Sequence, residues 1–557
     1  MRYLAGRLTL LALALAVAMP ALAADLIFHG GPIYTARDDA PTAEAVAVRD
    51  GRILAVGGLD AVMAQRTGGT EVIDLAGAAL FPGFVDGHAH LRGIGEREMT
   101  LNLDDVTSID DLTARIKDRV AEAGPDAVIV GRGWIETHWP EGRFPTRDDL
   151  DRVSPDTPVV LTRADGHAAV LNSAALAAAG IGPATEAPFG GEILRDEAGR
   201  PTGMLIDDAM DLAREVTARA GAIDPRDAYL AADRVYTARG WTGLHNMSVP
   251  PADVPLMESL SEAGEITLRV YNSVDQAGAM DLIEAGARQS ANGRIVTRAI
   301  KLYTDGALGS RGAALLDPYA DAAGSDGLMR IRKAEAMPIL DAALRAGIQV
   351  NTHAIGDRAN RLLLDWYSEA FAAVPPDARA IADPRWRDEH AQIIHPDDIP
   401  RYAALGVIPS MQPSHAIGDL HFAPARLGMD RLEGAYAWQA LIDSGVIVVA
   451  GSDAPVELGD PLIEFYAAVA RRDLTGFAGP GWHPEQAVDR PTALKMLTAW
   501  PAYAAFAEDA RGMIEVGKQA DFSVFSADLM TIPEADIPKA EAVMTIIGGE
   551  IVHRRGD

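Results

Sequence analysis

Eight short apolar segments alternate with helical stretches through the middle of the chain. Apolar runs of strand length separated by helical patterns are typical of parallel βα units, because parallel neighbours need a crossover connection. Eight such units close into a (β/α)8 TIM-type barrel, which is the fold that we predict. The segments are FVDGHAH, WTGLHNM, LRVYNSV, AIKLYTDG, IQVNTHAIGD, RDEHAQII, GVIPSMQPSH and GVIVVAGSDAP.

The predicted barrel occupies residues 81–511, more than the ~250 residues that are typical of the fold. Most of the excess lies between the first and second strand segments, at about 108–238. This insertion has strand-like runs of its own, DAVIVGRGW and PVVLTRADGHAAVL. We expect it to form a lid subdomain over the barrel mouth.

Both ends of the chain after residue 23 are rich in strand and turn signals. The pairs Asp50-Gly51 and Gly548-Gly549 separate apolar runs, as the two-residue turns of hairpins do. We therefore predict that residues 24–80 and 512–557 pair into one composite β-sandwich domain.

The first 23 residues are typical of an export signal peptide. Arg2 and Arg7 give a basic start, the apolar run LTLLALALAVAM follows, and ALA at 21–23 supplies small residues for cleavage. The apolar run is shorter than the ~20 residues that span a bilayer. We predict cleavage after Ala23 and an exported protein, periplasmic or secreted, without stable membrane insertion; an uncleaved anchor is the alternative.

Composition excludes several kinds of site. Cysteine is absent, which rules out disulfides, thiolate zinc sites and cysteine nucleophiles. The formal net charge of −29 repels polyphosphate, so nucleic acid is not an expected partner, although much of this charge serves solubility. Any metal must therefore be held by His, Asp, Glu or a modified Lys.

Polar side chains of the metal-binding type recur at the carboxyl ends of the predicted barrel strands. These ends meet at one mouth of a closed barrel, and the chemistry of such barrels lies there. The pair in FVDGHAH could be accidental if it stood alone, but four other strand segments supply partners. The set is His88, His90, Lys301, His353, His390 and Asp453.

Imidazole nitrogens and carboxylate oxygens suit zinc, although other divalent metals are possible, and one or two ions fit this number of ligands. His88 and His90 are two positions apart on a strand, so they face the same way and can share one metal. Lys301 is the exception, because an ammonium group cannot ligate a cation. It fits only as a carbamate, which could bridge two metals.

Several blocks resemble the amidohydrolase superfamily, in particular the branch called amidohydrolase family 3, or YtcJ-like. They are PGFVDGHAHL, DGHAAVLNSAAL, IKLYTDGALGSRGAAL, NTHAIGDRAN, EHAQII and AGSDAP, and the likeness runs from Asp25 to the C-terminus. Members of this family are metal-dependent hydrolases of C–N bonds, usually zinc enzymes, and one type deformylates N-substituted formamides. One departure is Asp388, which stands where the family has an aliphatic residue before Glu389-His390.

The resemblance implies a division of the ligands. His88, His90 and Asp453 would hold one metal, His353 and His390 a second, and Lys301 would bridge them as a carbamate. The implied reaction is attack of a metal-bound hydroxide on an amide or related carbonyl of a small molecule, of N-acyl or N-formyl type. Asp453 would be the catalytic residue that takes the proton and passes it to the leaving amine.

Other functions remain open on the same ligands. A lactonase, a cyclic amidase or a deaminase would differ in the substrate pocket rather than in the metal centre. An exported scaffold without catalysis is also possible, although the ligand set is intact. A homo-oligomer is compatible with the sequence.

Five further residues are candidates for substrate binding, each with a structural alternative. His167 could reach the mouth from the lid, and His415 could line the pocket after the seventh strand. Asp305 and Arg311 follow the fourth strand on a Gly-rich loop and could orient substrate, unless the glycines serve only a turn. Trp134 could belong to an aromatic wall or to the core of the lid.

Overall fold

A computed structural model of the protein describes residues 23–104, 106–124, 127–221, 223–479 and 481–556. The predicted signal segment, 1–23, lies outside these residues except for its last one. None of the helices in the described ranges combines the length and the apolar character that a bilayer crossing needs.

The strands fall into three sheets. In chain order they are β1 (Leu26–Tyr34), β2 (Thr42–Arg49), β3 (Arg52–Gly57), β4 (Glu71–Asp74), β5 (Ala79–Pro82), β6 (Phe84–Ala89), β7 (Leu101–Asn102), β8 (Ile129–Trp134), β9 (Val159–Arg163), β10 (Ala168–Leu171), β11 (Gly191–Arg195), β12 (Pro201–Asp207), β13 (Trp241–Val249), β14 (Arg269–Val274), β15 (Arg288–Gln289), β16 (Ile295–Tyr303), β17 (Gln349–Ala354), β18 (Arg387–His390), β19 (Ile408–Met411), β20 (Val449–Ala450), β21 (Phe522–Phe525), β22 (Ala542–Ile547) and β23 (Glu550–Arg554).

Most of the longer helices connect or follow the strands of the central sheet. The α-helices are α1 (Leu59–Met63), α2 (Leu91–Met99), α3 (Ile109–Glu122), α4 (Arg147–Asp151), α5 (Ser173–Ala178), α6 (Arg214–Thr217), α7 (Pro225–Arg239), α8 (Asp253–Glu262), α9 (Ala279–Ala285), α10 (Lys333–Ala346), α11 (Asp357–Ala373), α12 (Ile399–Leu405), α13 (Pro413–Asp419), α14 (Ala423–Leu427), α15 (Trp438–Asp443), α16 (Pro461–Ala470), α17 (Arg490–Met496) and α18 (Ala499–Ala504).

The eight predicted barrel strands are all present and form one parallel sheet in the order β6-β13-β14-β16-β17-β18-β19-β20. Helices α8 to α12 lie between consecutive strands from β13 to β19, as crossover connections require. Every residue of β14 and β17 is buried, which is expected of parallel strands covered on both faces. The predicted TIM-type barrel is confirmed.

Backbone contacts close the barrel between β6 and the segment that follows β20. Asp453 N donates to His88 O at 2.7 Å, and His90 N donates to Ala454 O at 2.8 Å. Gly87 permits this approach, because a Cβ atom there would lie 2.5 Å from a carbonyl oxygen of β20. Closure therefore brings the first and last predicted ligand segments into direct contact.

Both ends of the chain contribute to the second sheet, as predicted. β5 pairs antiparallel with β21, and the order is β23-β22-β21-β5-β1-β2-β3, with β4 beside β1. We expected a sandwich of two sheets, but hydrogen bonds join all eight strands into one. The sheet curls, so that the start of β3 meets the segment just before β21. Ala520 N donates to Gly51 O at 2.9 Å there, and Ile53 N donates to Lys518 O at 2.9 Å.

The third sheet, with the order β11-β12-β10-β9-β8-β7, belongs to the inserted segment. It runs from Leu101 to Asp207 and has hydrophobic clusters separate from that of the barrel. The sequence placed the insertion at about 108–238, but α7 at the end of that range packs on α2 and β13 of the barrel. We call residues 101–207 the lid.

Local signals explain where α7 begins and ends. The Asp224 carboxylate accepts a hydrogen bond from Arg226 N, and Pro225 occupies the first turn, where its missing N–H costs nothing. The helix ends at Gly240, whose φ of 98° is a left-handed conformation that glycine adopts without strain. The chain then enters β13 directly.

Replacing Arg269 with methionine tests the joint between the barrel and the composite domain. Arg269 makes two hydrogen bonds to Asp521, Nε to Oδ2 at 2.7 Å and Nη2 to Oδ1 at 2.9 Å, and both side chains are buried. Arg269→Met leaves a buried carboxylate without its cation, which should cost about 3–5 kcal/mol in the free energy of unfolding.

Urea denaturation measures this loss. Arg294→Met removes a more exposed pair with Glu550 between the same two units and should cost about 0–1 kcal/mol. Adding Asp521→Asn to Arg269→Met should recover part of the loss. Equal, small effects of Arg269→Met and Arg294→Met would show that the buried pair does not secure the joint.

Candidate metal centre

The six side chains predicted to bind metal lie together at the carboxyl ends of the barrel strands. They come from five chain segments that converge only in the folded barrel. The positions are His88 in β6, His90 at the start of α2, Lys301 in β16, His353 in β17, His390 at the end of β18 and Asp453 after β20.

Three of them surround one point. Asp453 Oδ1 lies 3.1 Å from His90 Nε2 and 3.4 Å from His88 Nε2. One ligand atom of each residue lies within 4.8 Å of the others, a spacing that suits a shared metal ion. This is the group that the family resemblance implies for the first metal.

The other three predicted ligands adjoin this group. The ring centroid of His390 is 4.7 Å from that of His88 and 4.5 Å from that of His353, and Lys301 Nζ is 3.2 Å from His88 Nε2. A second set within 4.8 Å consists of His390, Asp453 and His415, a residue that the sequence placed in the substrate pocket. The convergence is as predicted, while the role of each residue as a ligand stays a prediction.

In three of the histidines, Nδ1 lies within hydrogen-bonding distance of a neighbouring oxygen, which leaves Nε2 for a metal. His88 Nδ1 lies 2.5 Å from Glu389 Oε2, His390 Nδ1 lies 2.8 Å from Gln412 Oε1, and His90 Nδ1 lies 3.1 Å from a main-chain oxygen. Such partners fix the tautomer and leave the other nitrogen for a metal. In buried His353, Nδ1 has no hydrogen-bond partner among the described residues, as a nitrogen facing a metal would. The donor set therefore fits a divalent cation.

Burial controls the protonation of the centre. It lowers the pKa of His88, His353 and His390 well below the usual range, so these imidazoles are neutral and carry a lone pair. Burial also lowers the pKa of Lys301 to about 8. Burial would raise the pKa of Asp453, but contacts with the adjacent histidines hold it well below its usual range, so the residue is a carboxylate.

A charged network inside the barrel supports His88 from below. Arg387 Nε lies 2.7 Å from Glu389 Oε1, and the same guanidinium lies 2.6 Å from His245 Nδ1. Glu389 thus links this arginine to His88, and all four side chains are almost fully buried. His245 is part of this support rather than of the cavity wall.

Asp388, the departure from the family pattern, lies on the face of β18 that is opposite to Arg387 and Glu389. Its carboxyl group accepts a hydrogen bond of 2.5 Å from the hydroxyl of Tyr402 in α12. Burial raises its pKa well above the usual range, so the group can be accommodated uncharged among apolar neighbours. The strand is regular there, and His390 keeps its place at the mouth.

A cavity of about 370 Å³ opens onto the centre. The barrel supplies part of its wall and the lid supplies the rest. The lining is His90, Gly93, Arg132, Asp165, Gly166, His167, Ser248, Asp275, Lys301, Tyr303, Arg330, His353, His390, Asp453, Pro455 and Val456. A smaller, adjoining recess adds Leu308, Ile355, His415 and Phe422.

Two of the five candidate substrate residues line the cavity or its recess. His167 lies with its ring centroid 5.2 Å from that of His353, and its Nδ1 is 2.5 Å from Asp207 Oδ1. His415 lines the recess, with Nε2 3.8 Å from Asp453 Oδ2 and Nδ1 2.9 Å from Gln392 Nε2. Both positions allow contact with a bound substrate.

Asp305 has a structural role. Its carboxylate accepts hydrogen bonds from the main-chain N–H groups of Ala314, Ile355 and Gly356 at 2.8–3.0 Å. It also lies 3.4 Å from His353 Nε2. Asp305 therefore steadies the loop behind a predicted ligand and does not line the cavity.

The predictions for Arg311 and Trp134 are corrected. The Arg311 guanidinium pairs with Asp321 at 2.9 Å, outside the walls of the cavity and recess. Trp134 is fully buried in the hydrophobic core of the lid, where Nε1 donates to Leu161 O at 2.9 Å. A register shift between Arg132 and Trp134, at a Gly133 with φ 117°, separates the two side chains.

Replacing Glu389 with glutamine tests whether His88 is held as a ligand. The variant weakens the hydrogen bond that fixes the His88 tautomer, so metal affinity should fall about 10- to 100-fold. Competition of the zinc-loaded protein with a chromophoric chelator measures this change.

The control is Glu464→Gln, the same change at another buried glutamate, which accepts from Ser414 N and contacts no predicted ligand. Unchanged zinc affinity in Glu389→Gln, with both variants folded by thermal melting, would contradict the assignment of His88.

Known proteins are similar to this chain in sequence and in fold. A family model described as the amidohydrolase family matches residues 71–553. The Bacillus subtilis protein YtcJ is 34% identical over 536 residues, which cover 95% of this chain and 99% of that protein. The N-substituted formamide deformylase of Arthrobacter pascens is 28% identical over 550 residues, 95% of this chain and 98% of that protein. A crystal structure of an uncharacterized metal-dependent hydrolase from Pyrococcus horikoshii covers 91% of this chain and 99% of its own, with a TM-score of 0.72 and 26% identity.

Proposed function

The chain belongs to the amidohydrolase family, and we propose that it is an exported, metal-dependent hydrolase that cleaves an amide or related C–N bond in a small molecule. The observation that carries this proposal is the meeting of four histidines, a lysine and a carboxylate beside one cavity at the barrel mouth. The substrate is of N-acyl or N-formyl type, in keeping with the formamide deformylase among the relatives.

The residues divide as follows. His88, His90 and Asp453 would hold one divalent ion and His353 and His390 a second, with zinc the expected metal. Lys301 would bridge them only as a carbamate, since its amine otherwise repels a cation. A bound ion would polarise the scissile carbonyl and lower the pKa of water in the cavity.

Asp453 is placed to move the proton. Its carboxylate faces the cavity beside His90, and it is ionised, so it can accept a proton from the attacking water. As the C–O bond forms and the C–N bond breaks, the same carboxyl group can deliver that proton to the leaving nitrogen. The products are a carboxylic acid and an amine.

Replacing Asp453 with asparagine should abolish this transfer and reduce kcat by about 10²- to 10⁴-fold. The assay is a panel of N-formyl and N-acyl amines with zinc-loaded protein, extended to lactones, cyclic amides and aminated heterocycles. Asp489→Asn is the matched control, because it changes only the N-cap of α17, where asparagine caps equally well.

The panel and metal analysis decide between the functions. About two zinc equivalents per chain with amide turnover support the binuclear hydrolase, and about one indicates a centre with unmodified Lys301. Turnover of lactones or aminated rings alone would replace the proposed substrate class. Absence of both metal and turnover after reconstitution would favour an inert scaffold.

Export is tested separately from catalysis. Expression of the full chain in a Gram-negative host should yield a periplasmic or secreted protein whose N-terminal residue is Ala24, as mass spectrometry would show. A protein that keeps residues 1–23 and remains with the membrane fraction would support the uncleaved anchor instead.

A further inference from the structure

We propose that Arg132 of the lid binds a carboxylate of the substrate, so that the hydrolysed compound is an N-acyl or N-formyl amino carboxylate. This inference rests on the proposed function and specifies its substrate class. It is carried by the position of the guanidinium, by its lack of a carboxylate partner and by the pairing of the other arginines nearby.

Arg132 shares one cavity with the metal centre. It lies in β8, and it lines the cavity of about 370 Å³ together with His90, Lys301, His353 and Asp453. A molecule that reached both the centre and Arg132 would be small, with its amide and its anionic group a few bonds apart. An amino carboxylate acylated on nitrogen has this arrangement.

The guanidinium has unused hydrogen-bonding capacity. Nη2 donates a hydrogen bond to Ala164 O at 3.1 Å, while the buried Nε has no hydrogen-bond partner among the described residues. Within the ranges that the structure describes, no carboxylate oxygen lies within 4.0 Å of Arg132. An arginine has five N–H donors, and Arg132 lines the cavity, so its guanidinium can donate further hydrogen bonds to a ligand there.

The neighbouring arginines are different. Arg163 pairs with Glu136 at 2.8 Å and with Asp165, and Arg330 pairs with Asp208. Asp165, which also lines the cavity, is therefore engaged by Arg163, and its Oδ1 accepts from His167 N at 3.1 Å. Arg132 alone of these three keeps its charge available for a ligand.

Physical cost supports the same assignment. Burial lowers the pKa of the Arg132 guanidinium, although the charges of Asp453 and Asp165 oppose this shift. A planar carboxylate would satisfy two N–H groups at once and neutralise the charge.

The recess beside the centre suggests which side group to test. Leu308, Ile355 and Phe422 contribute apolar surface there, next to the polar residues. N-formyl-leucine therefore matches the cavity, and N-formyl-leucinamide is its neutral counterpart, differing only in carboxamide for carboxylate. Both enantiomers of each compound are assayed with zinc-loaded protein.

In the wild-type protein, kcat/KM for N-formyl-leucine should exceed that for N-formyl-leucinamide by about 10-fold or more. Arg132→Gln should lower kcat/KM for the carboxylate about 10- to 100-fold, mainly through KM, and change the amide by less than about 3-fold. Arg132→Lys keeps the positive charge but cannot donate two parallel hydrogen bonds to one carboxylate. Its kcat/KM for N-formyl-leucine should therefore lie between those of the wild type and Arg132→Gln. Arg152→Gln, at a half-exposed lid arginine paired with Asp149, is the matched control.

Two results would overturn the proposal. Equal losses of kcat on both compounds in Arg132→Gln would mean that the guanidinium acts on the reacting carbonyl. Equal activity of wild type and Arg132→Gln on N-formyl-leucine would mean that it binds no substrate group. Thermal melting and zinc content of each variant identify a loss of activity that is due to misfolding. If Arg132→Gln misfolds, the ratio of kcat/KM for N-formyl-leucine to that for N-formyl-leucinamide in Arg132→Lys tests the proposal instead.

A binding experiment separates this inference from the proposed function. Calorimetry measures the affinity of the zinc-loaded protein for N-formyl-leucine and for N-formyl-leucinamide, whether or not either is cleaved. Preferential binding of the carboxylate that is lost in Arg132→Gln supports the inference even if no amide is hydrolysed. Equal binding of both compounds by both proteins would refute it.

Discussion

Closure of the barrel between β6 and the segment after β20 is the contact on which the metal centre depends. Two main-chain hydrogen bonds link His88 and His90 to the Asp453-Ala454 stretch, more than 360 residues away along the chain. Because the side chains of His88, His90 and Asp453 project from these bonded segments, their mutual distances follow from the backbone. A residue larger than glycine at position 87 would force the two segments apart, and the ligand atoms with them.

The centre also depends on the polar interior beneath it. A carboxylate and a guanidinium buried together are stable only when each satisfies the other, and Glu389 and Arg387 meet that condition while also bonding His88 and His245. Through this network, β18 holds the side chain of His88, which projects from β6 on another wall of the barrel. Neutral histidines complete the arrangement, because burial disfavours their charged form.

Sequence was sufficient for the barrel and for the convergence of its six polar residues. The strand segments alternate with helical stretches along the chain, and residues at the carboxyl ends of parallel barrel strands all lie at one mouth. Side chains delivered by the lid were not predictable in this way. Arg132 and Trp134 are two positions apart and would share a face of a regular strand, but the shift at Gly133 sends one to the cavity and the other to the core. Asp388 shows the opposite case, since an unexpected polar residue found a hydroxyl partner on α12.

The barrel and the lid contribute different things to the site. Every predicted ligand comes from the barrel, whereas Arg132 and His167 come from a sheet with its own hydrophobic cores. The two units meet where Asp207 of the lid approaches the loop after β16: a Cβ atom at Gly306 would lie 2.2 Å from the Asp207 carboxylate. The glycines of that loop therefore serve this close approach, and the same aspartate orients His167 over the centre. Because the lid contributes few residues to the cavity, its part of the wall can change without altering the ligand geometry of the barrel.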